Sequence, residues 1–262
     1  MKTLRIELWT SLLIFAFFPA LAQAQNVFRL YAGAAPTTYK ITFDQNAPNF
    51  GGGANYKDKT AKSTYTAANI GLTWISPKGI YVDFAASQSL SATHDLWDPV
   101  TTQKQDFSHD TYTLTGGYSH GFPSGLGVSG FGGYLVSNTV LNSPKPPFAF
   151  TKDKFDSQGI FIGVGVGYPV LGGQVSGSVA LAGMTGKWRD DVSYDNSADY
   201  TVGFSLSAGY TYKFSQAWGV TADLRSQQYK YTFGAYTATT AQPAYSVKEN
   251  ISSLGIRVSY QF

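Results

Sequence analysis

Two His–Asp pairs are the residues in this sequence with the clearest capacity for chemistry. They are His94-Asp95, which Asp98 follows, and His109-Asp110, and one polar stretch of chain connects them. A histidine that a carboxylate orients can act as a general base and activate water. If the strands on either side of this stretch pair with each other, the two pairs approach one another at a rim of the fold. Such an arrangement would suit a hydrolase.

The other motifs are weaker signals of catalysis or ligand binding. Ser119-His120 does not fit a nucleophile and its base, because neighbours in a strand point to opposite faces. Gly51-Gly-Gly53 is followed by neither a helix nor a Lys-Ser/Thr pair, so a phosphate-binding loop is not supported. Histidines in loops are usually solvated, and these lack the spacing of metal ligands. We therefore predict a non-enzymatic protein with no catalytic residue, no metal site and no cofactor.

The elements that must position these residues are β-strands. The last residues of the chain alternate between apolar side chains and small or polar ones, with a period of two. The apolar set is Leu254, Ile256, Val258, Tyr260 and Phe262, and the other set is Ser253, Gly255, Arg257, Ser259 and Gln261. This pattern fits either an antiparallel sheet over a core or a membrane barrel with lipid outside and water inside.

Nine earlier segments alternate in the same way. They lie around residues 25–43, 63–75, 80–87, 111–119, 126–138, 159–168, 174–187, 200–213 and 218–233. Short turns alternate strictly with five long loops, at 44–62, 91–108, 142–154, 189–197 and 234–249, as in transmembrane barrels. Ten strands are expected, or eight or twelve if segment 63–75 or 174–187 is misjudged.

In the ninth segment, the apolar and aromatic residues move from even-numbered to odd-numbered positions towards the end of the strand. Trp218, Val220, Ala222 and Leu224 are followed by Tyr229, Tyr231 and Phe233. This change indicates either a bulge near residues 226–228 or a strand that leaves the membrane.

The N-terminus has the pattern of a secretory signal peptide. Lys2 and Arg5 precede an apolar run from Leu8 to Pro19, and Ala22-Gln23-Ala24 is a small-residue cleavage site. We expect cleavage after Ala24, and an uncleaved anchor is the alternative. Residues 25–262 then form one domain with 17 basic and 15 acidic side chains, a balance that gives no reason to expect nucleic acid.

The composition after residue 24 favours a barrel over other membrane folds. No run of ~20 apolar residues is present, which excludes a helical membrane protein. The sequence has 18 Tyr, 18 Phe and 28 Gly with only 13% charged residues, an unusual balance for a soluble domain. The absence of Cys excludes a disulfide framework.

The terminal strand resembles a known signal. With Tyr260 third from the end and Phe262 last, it is similar to the assembly signal of Gram-negative outer-membrane β-barrels. The whole of residues 25–262 resembles small barrels of this class, of the porin-like and opacity type. The resemblance implies a transmembrane antiparallel up-and-down barrel in the cell outer membrane. It also implies contact with outer-membrane lipid and lipopolysaccharide, and reading of the last strand by the periplasmic insertion machinery. The paired-aspartate signature of ten-stranded outer-membrane proteases is missing at matching positions.

In such a barrel, charged side chains on the polar strand faces point into the lumen. They are Arg29, Asp83, Lys213, Asp223, Arg225 and Arg257. Because the first and last strands become neighbours on closure, we expect most of these groups to form one band near the periplasmic end. The band is either a salt-bridge network that plugs a narrow barrel or a constriction that favours anions. Inward-facing Phe131 and Phe161 argue for a filled lumen.

Three functions remain open on the sequence. The first is a narrow channel for small solutes or ions. The second is a plugged barrel that acts through its extracellular loops in adhesion or envelope interaction. The third is a hydrolase at the rim. The loops offer aromatic and basic residues that could anchor a partner or pack locally, namely Tyr56, Lys57, Trp97, Phe148, Phe150, Lys152, Trp188 and Tyr194.

Overall fold

The structure is a computed structural model that describes residues 26–44, 49–50, 54–55, 58, 60–90, 92–94, 105–145, 149–189, 195–235 and 244–262. The strands are β1 (Val27–Phe43), β2 (Asn49–Phe50), β3 (Ala54–Asn55), β4 (Thr60–Ile75), β5 (Ile80–Leu90), β6 (Ala92–His94), β7 (Gln105–Gly121), β8 (Gly127–Lys145), β9 (Ala149–Val170), β10 (Gly173–Arg189), β11 (Asp195–Lys213), β12 (Trp218–Phe233) and β13 (Tyr245–Gln261). The proposed signal peptide and its cleavage site lie outside these residues. Among the described residues, no helix is long and apolar enough to cross a membrane.

The long strands close into one antiparallel barrel, which confirms the predicted all-β class and the count of ten strands. Each long strand pairs with its neighbours in the chain, and β1 pairs with both β4 and β13. The short strand β6 continues β5 and pairs with β4 and β7. Closure leaves no long strand with an unpaired edge, as a wall in contact with lipid requires.

The short turns and the two ends of the described barrel lie at one end, called here the turn end. The long connections lie at the opposite loop end. Phe28 and Phe262 exchange two backbone hydrogen bonds of 3.0 and 2.9 Å at the turn end. Gly79 and Gly125, in two of the turns, have φ angles of 84° and 85°, a left-handed conformation that favours glycine.

Side-chain polarity inverts between the two halves of the barrel, and β9 shows that this needs no change of phase. Register shifts occur where β11 pairs with β10 and β12, near residues 198–200. In the turn-end half of β9 the outward residues are apolar and 51–68% exposed, namely Ile160, Ile162, Val164, Val166 and Tyr168. Nearer the loop end the outward residues are polar, namely Lys152, Lys154, Asp156 and Gln158. Inward-facing Phe155 and Ser157 are buried there. The pairing of β9 with β8 and β10 is continuous, so the same faces point in and out throughout.

This inversion divides the wall into two parts. The lipid belt is the turn-end half, whose outward face is apolar, and the extension is the loop-end half, whose outward face is polar. Exposed aromatic side chains border the belt, as at membrane interfaces. On the turn-end side they are Tyr118, Phe122, Tyr168, Tyr212, Phe214, Trp218, Tyr260 and Phe262, and on the other side Tyr112, Tyr134 and Tyr200. The extension is therefore a water-facing barrel that continues beyond the membrane.

The extension accounts for the main errors in the predicted boundaries. The loop predicted at 142–154 is wrong over most of its length, because β8 runs to Lys145 and β9 begins at Ala149. The predicted loops at 91–108, 189–197 and 234–249 were likewise too long. Between Tyr200 and Lys213, β12 pairs with β11 without interruption, and it also pairs continuously with β13, so no bulge occurs near residues 226–228. Instead, β12 leaves the membrane at this point, and the side chains of Tyr229, Tyr231 and Phe233 face the lumen.

A lysine introduced on the two parts of β9 should have very different costs. Val164→Lys puts a charge in the middle of the lipid belt and should destabilise the barrel by about 2–4 kcal/mol. Gln158→Lys, six residues away on the same outward face, should change stability by at most about 1 kcal/mol. Chemical unfolding in lipid bilayers measures both values. Equal costs would contradict the assigned boundary.

Candidate functional site

The barrel interior consists of a polar cavity at the turn end and a packed region at the loop end. The cavity has a volume of about 770 Å³. Five of the six predicted lumen charges line it, namely Arg29, Asp83, Lys213, Arg225 and Arg257. The sixth, Asp223, pairs with Arg257. The structure thus brings the predicted charges together, and their role in passage or binding stays a prediction.

A network of polar contacts runs around the inner wall across the seam between β13 and β1. Arg257 Nη2 lies 2.7 Å from Asp223 Oδ1, and its guanidinium lies 5.2 Å from the centre of the Tyr31 ring. The Tyr31 hydroxyl donates a hydrogen bond of 3.2 Å to Asp83 Oδ2. Thr73 donates another, of 2.7 Å, to Asp83 Oδ1. This polar network therefore connects five neighbouring strands, namely β12, β13, β1, β4 and β5.

Glycines on the neighbouring strands make room for this polar network. A methyl group at Gly33 would lie 2.7 Å from the Arg257 side chain, and one at Gly71 would lie 2.2 Å from the Tyr31 ring. Each long side chain therefore lies flat across the next strand. The sequence alternation identified Arg257 and Asp83, but it did not identify Tyr31 as the link between them. An inward tyrosine beside a glycine of the adjacent strand is the signal that could have found it.

Three cations of the cavity, Arg29, Arg225 and Lys213, form no ion pair with any described residue. Lys213, near the turn end, donates a hydrogen bond of 3.3 Å to the Gln261 side chain. The six predicted lumen charges are four basic and two acidic side chains, so their net charge is positive. An anion in this cavity would find two guanidinium groups that form no ion pair, although the Asp83 carboxylate interacts electrostatically with Arg29.

An aromatic plug fills the lumen of the extension. We use this name for the buried rings of Tyr39, Phe43, Tyr65, Phe107, Phe155, Trp188, Tyr229, Tyr231, Phe233 and Tyr245. The Phe155 ring packs edge-on against Tyr231 with centroids 4.6 Å apart, and Phe43 packs against Trp188 at 5.1 Å. Trp188 and Phe233 are 0% exposed. Rings packed in this way leave no water-filled path along the axis of the described lumen.

Two titratable groups are buried within the plug. The Tyr231 hydroxyl donates a hydrogen bond of 3.1 Å to Glu249 Oε2. Burial raises the pKa of Glu249 from 4.5 to about 7, although hydrogen bonds from Tyr39 and Tyr231 act in the opposite direction. His109 Nδ1 lies 2.9 Å from Thr139 Oγ1, and burial lowers the pKa of His109 to about 4. Both groups therefore favour their neutral forms.

The structure separates the His–Asp residues that it describes. His109 faces the plug, whereas Asp110 is the next residue of β7 and faces outward. His120 faces outward and packs against Phe122 at 4.8 Å. His94 is in β6, but its side chain is not described, and Asp95 and Asp98 lie outside the described residues. The described residues contain no group of three or more side chains that could hold a metal ion.

The assignment of Trp188 to a loop, where it could anchor a partner or pack locally, is wrong. Trp188 is in β10 and points into the plug, because the strand continues past the predicted boundary. Lys152 is exposed on β9, and nothing is described of the Phe150 side chain. Tyr56, Lys57, Trp97, Phe148 and Tyr194 lie outside the described residues.

Comparison with known proteins supports the fold. No protein-family model and no curated protein matches the chain. The outer membrane protease OmpT from Escherichia coli matches with a TM-score of 0.56 and 10% identity, over 92% of this chain and 98% of that chain. The translocator domain of the autotransporter NalP from Neisseria meningitidis matches with a TM-score of 0.48 and 11% identity, over 100% and 98% of the two chains.

The likeness to OmpT, together with the closed ten-stranded wall, decides the fold. The chain has the fold of outer-membrane β-barrels. In such barrels the turn end faces the periplasm and the loop end faces the exterior. The C-terminal residues Tyr260 and Phe262 lie at the turn end of this barrel, where Phe262 stacks on Phe28 at 5.9 Å. Their role as an assembly signal stays a prediction.

Two glycines of β10 offer a test of plug packing. A methyl group at Gly186 would lie 2.5 Å from the Tyr231 ring and 3.2 Å from Phe155. Gly186→Ala should therefore destabilise the barrel by about 1–3 kcal/mol. Gly183→Ala is the matched control, because nothing lies within 4 Å of the added methyl group. Unfolding free energies in detergent compare the two, and equal values would mean that the plug is loosely packed.

The buried titratable groups predict opposite pH dependences. The contribution of Glu249 to stability is complete below pH 4.5 and is lost as the pH rises to about 7, a change of about 3 kcal/mol. The contribution of His109 is complete above pH 6.5 and is lost as the pH falls to about 4. These slopes largely cancel in the natural protein between pH 4.5 and 6.5.

Single variants should separate the two slopes. Glu249→Gln should leave stability that rises with pH from about 4 to 6.5, and His109→Gln should leave stability that falls as the pH rises from 4.5 to about 7. Unfolding free energies measured between pH 4 and 8 test both. Parallel curves for the two variants would show that these groups are not buried as described.

Proposed function

We propose that the protein is a closed, non-enzymatic outer-membrane barrel that acts through surfaces outside the membrane and not as a permanent pore. The observation that carries this proposal is the aromatic plug. Residues from β1, β4, β7, β9, β10, β12 and β13 meet in it, and none of its rings is more than 6% exposed. A solute would have to displace several packed rings at once in order to pass. The extension and its loops are then the parts that a partner outside the cell can reach.

The proposal of a non-enzymatic role rests on where the catalytic candidates lie. OmpT is a protease, but at 10% identity the likeness extends only to the fold. His109 is enclosed by Tyr39, Tyr65 and Thr139, and a substrate cannot reach it without opening the plug. A rim hydrolase built on His94 is the remaining alternative. His94→Ala with unchanged activity would remove its main candidate.

A second candidate function is an anion channel that conducts only when the plug opens. The specific observation that favours it is the presence of two arginines that form no ion pair with a described residue, Arg29 and Arg225, in the cavity at the turn end. Their fields would concentrate anions at the inner face of the plug. In this account the cavity is the filter and the plug is the gate.

Single-channel recording separates these functions. The natural protein, refolded and reconstituted in planar bilayers, should give no discrete conductance steps. Tyr231→Ala combined with Trp188→Ala removes two central rings and should give steps, with a preference for anions. Adding Arg225→Glu should reduce or reverse that preference, whereas Arg225→Lys should preserve it.

Heat-modifiable migration on a gel provides the folding control for every variant. Regular conductance steps from the natural barrel would overturn the closed-barrel proposal. Steps from the plug variant without any preference for anions would remove the second candidate.

A further inference from the structure

Two phenylalanine rings form an aromatic platform on one wall of the polar cavity. Phe131 lies opposite Gly163 in the register of β8 and β9, and Phe161 lies opposite Gly133. A methyl group at Gly163 would lie 2.4 Å from the Phe131 ring, and one at Gly133 would lie 2.5 Å from the Phe161 ring. Each ring therefore lies flat across a glycine of the neighbouring strand. Both rings line the cavity, with centroids 6.3 Å apart.

Two arginines line the opposite wall of the same cavity. Arg29 is on β1, which is five strands from β9 in either direction around the ten long strands. Arg225 is on β12, which is four strands from β8. The strand order thus places the cations across the lumen from the aromatic platform. The cavity therefore has a cationic side and an aromatic side.

Arg225 is the arginine that is best placed to meet a ligand. Its neighbour in the cavity, Arg257, pairs with Asp223 at 2.7 Å. Arg225 instead lies opposite Ser207 on β11 and Ser253 on β13, which are both small. Its side chain is exposed and forms no ion pair with a described residue. An anion in the cavity can therefore reach this guanidinium without displacing a carboxylate.

The plug limits the cavity at one end, and the other end lies at the turns. Tyr229 and Met184, which belong to the buried cluster of the extension, line the inner end of the cavity. Near the turns it is lined by Ser119, Gln174 and Lys213, whose side chains face inward and are exposed. A ligand would therefore enter from the turn end and meet an apolar surface at the inner end.

Hydroxyl groups of the cavity wall bind one another. Ser178 and Ser207 share a hydrogen bond of 2.7 Å, and Thr211 and Thr221 share one of 2.9 Å. These hydroxyl groups already have partners within the wall. The cavity consequently favours a ligand that offers a charge and a planar ring over a polyhydroxylated one.

We infer that this cavity binds a small aromatic carboxylate. The one guanidinium that is exposed and unpaired matches a single carboxylate, which can accept two parallel hydrogen bonds from it. The aromatic platform stacks on the ring of the ligand. The volume of about 770 Å³ lies within the range of ~300–1,000 Å³ that is typical of small-molecule sites. This inference goes beyond the proposed function, because binding requires neither an open plug nor a partner outside the cell.

Titration calorimetry with benzoate tests the cationic side, on the full chain refolded in detergent micelles. Arg225→Gln should weaken benzoate binding at least about tenfold, because hydrogen bonds to a charged group are strong. Lys230→Gln is the matched control, because it removes a cation from the outward face of the same strand, and it should bind as the natural protein does. Benzamide, the neutral analogue, should bind weakly to all three proteins.

A pair of ligands tests the aromatic side. The natural protein should bind benzoate about threefold or more tightly than cyclohexanecarboxylate, which has the same charge but no aromatic ring. Phe161→Leu keeps an apolar side chain and should abolish this preference. Phe204→Leu, on the outward face of β11, is the matched control and should retain it. A preference between two ligands does not depend on the amount of folded protein, so a partly misfolded variant cannot imitate the result.

Three results would overturn the inference. The first is the absence of benzoate binding to the natural protein. The second is equal benzoate binding by Arg225→Gln and Lys230→Gln. The third is binding of benzamide or cyclohexanecarboxylate to the natural protein as tightly as benzoate. None of these results bears on conductance, so failure here and failure of the closed-barrel proposal are distinguishable.

Discussion

The structure depends on one constraint: strands whose side chains alternate with a period of two must satisfy two solvents. In the lipid belt the outward side chains contact hydrocarbon and the lumen is polar, whereas in the extension the outward face contacts water and the lumen is apolar. Alternation fixes which side chains face inward. The two halves of the wall can therefore suit different surroundings only if polar and apolar residues exchange faces between them. The plug and the polar cavity are both results of this exchange.

The two halves of the lumen are occupied by different kinds of side chain. In the extension, aromatic rings fill the interior and resemble the core of a soluble barrel. Within the belt, the Arg257–Asp223 pair and the Tyr31–Asp83 hydrogen bond link strands across the seam where the chain closes. Burying such charges is favourable only if they are paired, and the two unpaired arginines therefore stand where the cavity admits water. The cavity and its charges are candidates for function, and the plug determines whether they can be reached from outside.

The sequence predicted the barrel class, the ten strands and the inward direction of the six lumen charges, since all follow from a period of two. It could not predict where the strands end in the extension. There the apolar residues face inward, and the polar residues that face outward resemble a loop sequence. Trp188 and Glu249 were consequently assigned to loops, although both are buried in strands. The link from Tyr31 to Asp83 was also missed, because it joins residues 52 positions apart through the register of β1, β4 and β5.

Spin labels on single cysteines along β9 test the account most directly, in lipid vesicles that contain the barrel. Outward positions such as Ile162 and Val164 should be accessible to oxygen dissolved in lipid, and outward Lys154 and Gln158 to a water-soluble relaxation agent. Inward Ser157, a small residue in the plug, should be inaccessible to both. Access of the water-soluble agent to Ser157 would contradict a closed lumen, and lipid access at Lys154 would contradict the extension.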